Sequence, residues 1–216
     1  MFDRLAYKTA AKGNLKGHWK VPILITLIIG GINLLMSLPS AVQPDSAMPI
    51  ILNILAVIIS GILLIAETAY FLQFIRNPSD APFNTFLEAL NKWKEGILGM
   101  LWFVLWVWLW ALLFLIPGIV KAFAYSQMFF IIAENPGITV RKAMKMSMAM
   151  TKGYKGDLFV LDLSFLGWGL LCIPTLGIGL LWLIPYIRAS QTHAYAYLKR
   201  QALTAGVLNE SDFTGR

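Results

Sequence analysis

The chain has 216 residues, of which 58% are hydrophobic and only 13% charged, and its mean hydropathy is +0.68. A soluble domain carries about 25% charged residues, so too few charges are present to coat a water-facing surface, and a bilayer is the simplest solvent for the apolar runs. The net charge of +7 taken alone would suit nucleic acid, but its placement assigns it to membrane topology; one cysteine, Cys172, and two histidines, His18 and His193, exclude an intrachain disulfide and a Cys/His metal cluster.

In chain order, a basic amphipathic stretch comes first. Phe2, Leu5, Ala6 and Thr9 follow the spacing of one helical face, and Lys12-Gly13-Asn14-Leu15-Lys16-Gly17-His18-Trp19 forms a turn behind them. The apolar run 21–38 follows. It resembles a secretory signal in ending near Ser37-Leu38-Pro39-Ser40-Ala41, but the polar stretch before it is long for a signal, so the run is read as a retained membrane helix. A second run, 50–75, completes a hairpin.

The next unit repeats this plan. Asp80 and Pro82 mark a helix start, Phe83, Phe86, Leu87 and Leu90 share a face, and Lys92-Trp93-Lys94-Glu95-Gly96 forms the turn before runs 96–116 and 118–134, joined at Pro117-Gly118. In the third unit Thr139 starts a helix whose face is Val140, Ala143, Met144, Ser147 and Met148. Lys152-Gly153-Tyr154-Lys155-Gly156 then leads into runs 158–173 and 178–198. Crossing the hydrocarbon takes about 20 helical residues, and an open backbone there would leave its polar groups unpaired. The expectation is an all-α polytopic membrane protein: six transmembrane helices plus short cytoplasmic interfacial helices, one membrane domain over 1–200 with hairpin units 1–76, 77–134 and 135–200, and a cytoplasmic tail over 201–216.

Lys and Arg set the orientation. Arg4, Lys8, Lys12, Lys16 and Lys20 precede the first run, Arg76, Lys92 and Lys94 lie between the second and third, and Arg141, Lys142, Lys145, Lys152 and Lys155 between the fourth and fifth; Lys199, Arg200 and Arg216 end the chain. The connections 39–49, 117–118 and 174–177 carry none. The positive-inside rule places both termini and the basic connections in the cytoplasm. Lys12, Lys16, Arg141, Lys142, Lys145, Lys152 and Lys155 are then candidates for contact with anionic lipid headgroups, at about 1 kcal/mol per basic residue near the surface.

Ionisable groups inside such helices cost about 2.5–3.5 kcal/mol each. Glu67, Asp162 and Arg188 fall at similar depth in the inner half of the bilayer, and Pro185 removes a backbone donor one turn before Arg188. With Lys121, Tyr125 and Gln127 of the polar fourth run they make the candidate polar site; a static charge pair fixing helix register is the other reading. Trp102, Trp106 and Trp110 share a face of the third run, suited to lipid contact and helix packing or to a sugar or quaternary ammonium ligand. No zinc-protease motif, nucleophile elbow or phosphate-binding loop is present, so no enzyme activity and no cofactor is expected.

The second half resembles a bacterial family of uncharacterised membrane proteins, domain of unknown function 975. The resemblance rests on Ile116-Pro117-Gly118-Ile119-Val120-Lys121-Ala122 with Tyr125-Ser126, Ala133-Glu134-Asn135-Pro136, Ala143 to Met150, Lys152-Gly153-Tyr154-Lys155, Leu163 to Trp168, and Thr175 to Tyr186. It covers most of 96–198. Lys121 and Tyr125 belong to the family pattern, which has uncharged residues where Asp162 and Arg188 stand. The resemblance implies a bacterial inner membrane and no established activity. A fainter likeness, to the membrane domain preceding some glycerophosphodiester phosphodiesterases, points to lipid handling. The expected function is non-enzymatic binding of lipid or a protein partner in envelope maintenance or stress protection, with a small-solute or lipid transporter or channel as the alternative; a homo-oligomer or membrane protein partner fits either.

Overall fold

The computed structural model describes residues 2–42, 48–135 and 137–213. Pro136, Arg216 and residues 43–47 of the 39–49 connection therefore lie outside the described residues. All regular structure among the described residues is helical. The helices are α1 (Arg4–Leu15), α2 (Lys20–Val42), α3 (Met48–Arg76), α4 (Phe83–Ala89), α5 (Trp93–Leu113), α6 (Leu115–Tyr125), α7 (Met128–Glu134), α8 (Val140–Met150), α9 (Lys155–Leu163), α10 (Leu166–Leu171) and α11 (Leu180–Thr204).

Among the described residues, four segments are long and apolar enough to cross a membrane: Lys20–Ser37, Leu52–Arg76, Phe83–Leu112 and Ile116–Glu134. They mark the chain as a membrane protein. The runs expected as fifth and sixth crossings do not form single long apolar helices. The fifth divides into α9 and α10, because the Ser164 hydroxyl donates to the Leu161 carbonyl at 2.5 Å and the Phe165 N–H turns back to Asp162 at 3.0 Å. The sixth lies in α11, whose apolar start gives way at Arg188 to Ser190, Gln191, Thr192 and His193.

α3 is the axis, packed against α2, α4, α5, α7 and α11. Its closest crossing is with α5. A Cβ on Gly61 would lie 2.5 Å from the Gly96 carbonyl oxygen, and one on Gly96 would lie 2.8 Å from the Gly61 carbonyl oxygen. Two glycines thus let two backbones touch, the small-residue mode of helix packing in membranes.

The turn between α5 and α6 is a single extended residue, Phe114, at φ −157°. The sequence placed this turn at Pro117-Gly118. Proline is tolerated in the first turn of a helix, where its missing N–H has no intrahelical partner to lose, so both residues sit inside α6. Gly118 packs where a Cβ would lie 2.8 Å from Ala111, which lets α6 fold straight back along α5. The expected fourth run is also interrupted, at Ser126–Gln127 between α6 and α7.

The three amphipathic stretches are α1, α4 and α8, each with one face on the bundle. In α8 the expected face is largely the buried one, with Ala143, Met144 and Ser147 inside, and Thr139 caps it by accepting the Lys142 N–H. In α4 Phe86 and Ala89 are buried, whereas Leu87 is exposed. In α1 the expected face is corrected. Tyr7, Ala11 and Leu15 are buried at i, i+4, i+8, and Leu5 is 73% exposed. Helical spacing admitted two adjacent stripes, and α11 selects the one that carries Tyr7. α1 runs antiparallel to α11: Phe2 meets Tyr197 at 5.7 Å between rings, and Lys12 Nζ stands 5.6 Å from the Tyr186 ring.

Candidate functional site

α3, α9 and α11 bring three charges of the candidate polar site to one place. Arg188 Nη2 lies 3.0 Å from Glu67 Oε2, and the Glu67 side chain is 4% exposed against 35% for Arg188. A carboxylate that deep is tolerated because its partner is fixed beside it. On α9, Asp162 Oδ1 accepts from Gln191 Nε2 at 2.9 Å, and the Arg188 charge also acts on Asp162. Gln191 follows Arg188 by three residues, so both side chains share one face of α11.

Asp162, Arg188 and Gln191 line a cavity of about 210 Å³ with Thr68, Ser126 and Gln127. Phe103, Phe123, Phe129 and Phe130 form its apolar walls. Asp162 is exposed at its edge. Gln127 lies at the α6–α7 break and is buried. Its backbone N–H donates to Ser147 Oγ at 3.2 Å and its Nε2 to Ser126 Oγ at 2.8 Å, while its Oε1 has no partner. A buried amide oxygen without a donor forgoes about 1–3 kcal/mol, so one residue of the cavity wall, which also carries Arg188 and Asp162, holds an unmet acceptor.

The break that turns Gln127 inward is held from α8. Ser147 Oγ donates to the Ala124 carbonyl at 2.7 Å, and Thr151 Oγ1 donates to the same oxygen at 3.3 Å. Both residues are fully buried. Sequence reasoning put Ser147 on the apolar face of its helix but assigned it no role, and it missed Thr68, Thr151 and Gln191. A hydroxyl at an apolar-face position was the available signal for Ser147.

Lys121 and Tyr125 are not part of this cavity. Lys121 Nζ sits 4.4 Å from the Trp110 ring centre and 6.0 Å from that of Tyr125, on the side of α6 that faces α5. Tyr125 is buried near Phe103. The expected tryptophan face exists, with Trp102 and Trp106 edge to face at 5.9 Å, and protein cations cover its ends: Lys121 over Trp110, and Arg141 over Trp102 at 5.0 Å.

Of the residues expected to meet headgroups, Lys12, Lys16, Arg141, Lys145 and Lys152 are exposed, and Lys142 and Lys155 are half-buried. Lys8 is held more tightly than any reading of the sequence suggested. Its Nζ donates to Ser164 Oγ at 2.9 Å and to the Ser164 carbonyl at 3.2 Å, and stands 4.2 Å from the Phe165 ring centre. Burial lowers the Lys8 pKa, with the Lys12 and Arg4 charges adding to it, and burial pushes the neighbouring Tyr7 up to about 12.

A second charged knot gathers on Glu134. It pairs with Arg76, accepts from Tyr195 Oη at 2.6 Å and lies 2.9 Å from Lys199 Nζ. This knot ties α3, α7 and α11 together around one carboxylate.

Residues 91–202 match the model of a family described as Protein of unknown function (DUF975). No curated protein and no solved structure matches the chain. The match spans just over half of the 216 residues, and the chain belongs to this family.

Proposed function

We propose that this member of the DUF975 family is a non-enzymatic lipid-binding protein of the bacterial cytoplasmic membrane, and that the cavity between α3, α9 and α11 receives a lipid headgroup. The observation that carries the reading is the Gln127 amide oxygen, buried and unpartnered on a residue that lines the same cavity as Asp162 and Arg188. A headgroup supplies what the cavity lacks. A hydroxyl or ammonium donates to Gln127 and to the second oxygen of Asp162, and a phosphate accepts from the guanidinium N–H groups of Arg188 that do not face Glu67. The apolar residues Phe159 and Leu163 lie exposed on α9 beside Asp162, where an acyl chain would run.

Both termini face the cytoplasm in this reading. The basic residues of α1, α8 and the α4–α5 turn support it, and an even number of crossings keeps the two ends together whether the third hairpin traverses or not. Exposed Lys12, Lys16, Lys145 and Lys152 then meet anionic headgroups. The cellular role this fits is envelope maintenance or stress protection, with a protein partner or second copy free to bind the same cytoplasmic face.

The test is native mass spectrometry of the whole protein purified in mild detergent from its own membrane. The wild type is expected to retain a lipid that Asp162→Asn and Gln127→Leu lose. A wild-type spectrum free of lipid, unchanged in either variant, refutes the headgroup site. Transport is the second reading, favoured by the α6–α7 break that turns Gln127 into the cavity. It requires solute flux in proteoliposomes that Asp162→Asn diminishes, and impermeable proteoliposomes would exclude it.

A further inference from the structure

Between Asp162 and Arg188 the chain carries no charged residue, and this segment forms the hairpin of α10, the turn 172–179 and the start of α11. The tip of that hairpin is apolar and uncovered. Leu176 is 93% exposed, and Leu170, Leu171, Ile173, Ile178, Trp168 and Trp182 are exposed beside it. Water would make such a tip unfavourable, so the question is how deep into lipid it goes.

Two lysines of α1 mark the neck of the hairpin. Lys8 grips Ser164 and Phe165 on one arm, and Lys12 stands over Tyr186 on the other. Beyond the neck remain Leu166 to Thr175 and Leu176 to Pro185, ten residues in each arm. At about 1.5 Å per helical residue each arm reaches at most about 15 Å. That is half of the roughly 30 Å hydrocarbon thickness.

The neighbouring α2 gives an independent measure of depth. Trp19, immediately before α2, lines the same hollow as Lys12, Trp168, Cys172 and Trp182. The hairpin is therefore level with the beginning of α2, which continues for 23 residues, about 34 Å. The tip stops well short of the far end of α2.

The turn is also built to sit in hydrocarbon, where unpaired backbone groups cost several kcal/mol each. The N–H of Leu176 donates to Ile173, Gly177 to Cys172, Ile178 to Thr175 and Leu180 to Gly177, all at 2.9–3.0 Å. The Gly179 N–H donates to Thr175 Oγ1 at 3.2 Å, while that hydroxyl donates to the Cys172 carbonyl. Pro174 has no N–H to satisfy. Gly177 takes the left-handed conformation, φ +83°, that closes the turn, and Leu176 takes it too, at φ 51°.

We infer that α10 and the first turns of α11 form a re-entrant hairpin that enters one leaflet from the cytoplasmic side and returns, its apolar tip embedded among the acyl chains of that leaflet. The four crossings are then α2, α3, α5 and α6–α7. Both termini remain on one face, and the basic pattern that suggested six crossings is preserved. This inference stands independently of the headgroup cavity, which lies behind the neck.

The test places a bimane fluorophore on Leu176→Cys in a Cys172→Ser background of the full chain, reconstituted in phosphatidylcholine–phosphatidylglycerol vesicles. Quenching is compared for lipid nitroxides at the headgroup and at mid-chain, and for aqueous iodide. A leaflet-embedded tip is quenched most by the mid-chain nitroxide and little by iodide. A tip quenched most by headgroup nitroxide or by iodide overturns the inference. In that case an impermeant maleimide shows where it lies, by labelling from the face opposite Val207→Cys for a full crossing or from the same face for a tip that never enters. If Leu176→Cys misfolds, Ile178→Cys carries the same readout.

Discussion

Replacing Arg188 by leucine isolates the energetics of the pair it makes with Glu67. Glu67 Oε2 is 3.0 Å from Arg188 Nη2, and Glu67 is almost completely enclosed. Removing one member of a buried pair typically costs about 3–5 kcal/mol, because the remaining charge has lost its partner and cannot regain water. The third of the Arg188 side chain that stays exposed weakens the pair by solvent screening, which moves the expected loss to the lower end, about 3 kcal/mol. For a chain of this length 1 kcal/mol corresponds to about 2–4 °C. Arg188→Leu should therefore lower the apparent melting temperature in detergent, followed by tryptophan fluorescence, by about 6–12 °C. The double variant Glu67→Leu/Arg188→Leu supplies the decisive comparison. Apolar residues of similar volume often replace a buried pair without net loss, so the double variant should recover most of the fall. A single variant as stable as the wild type would refute the argument, since Glu67 could not then be a paired carboxylate. A double variant no better than the single would show that packing, rather than charge, holds α3 to α11.

Gly61→Ala should destabilise by about 1–3 kcal/mol through overpacking, because its Cβ would meet the Gly96 carbonyl oxygen at 2.5 Å and Met100 Cβ at 2.7 Å; chemical denaturation in mixed micelles reads the loss, and Gly30→Ala, with open space around it, is the silent control. Ser147→Ala removes the shorter of the two hydroxyl bonds to the Ala124 carbonyl and the acceptor of the buried Gln127 N–H, and should cost about 1–3 kcal/mol, with Thr151→Val added costing more than either alone because the buried carbonyl is then unpaired as well. Glu134→Gln should loosen the end of α11, seen as faster amide exchange over 195–202, since Arg76, Lys199 and Tyr195 all converge on that carboxylate. Lys8 has a lowered pKa in the folded chain, so the unfolded chain binds more protons at alkaline pH. The Lys8 contribution to stability should rise as the pH climbs through the folded and then the unfolded pKa, read as the pH dependence of the difference between wild type and Lys8→Met, because the raised pKa of Tyr7 acts in the opposite sense over the same range.

What could be read from the sequence followed from composition and pattern, and what could not followed from context. The long apolar runs of α2, α3 and α5 identified themselves, because hydrocarbon tolerates nothing else at that length. The convergence of Glu67, Asp162 and Arg188 was legible as three costly charges at similar helical depth, and two of them do pair. Lys121 and Tyr125 were grouped with them because the fourth run is polar along its length. The break at Ser126–Gln127 divides that run, leaving Gln127 in the cavity and Lys121 over Trp110. No spacing rule predicts the break, which depends on hydroxyls from a helix some twenty residues away.

The misjudged face of α1 and the shorter reach inferred for the third hairpin have one cause. Read alone, Lys8 and Lys12 are surface charges on a helix lying flat against headgroups, and runs 158–173 and 178–198 are two crossings, the first of them short. Once α1 lies antiparallel along α11, the same lysines are fixed at the hairpin neck. An ammonium group on each arm cannot be carried to the middle of a bilayer at a cost of about 2.5–3.5 kcal/mol apiece when the headgroup region lies within a side chain's length. The placement of two charges thus limits how far twenty uncharged residues can penetrate, and hydropathy summed along one run has no term for a cation contributed by another helix.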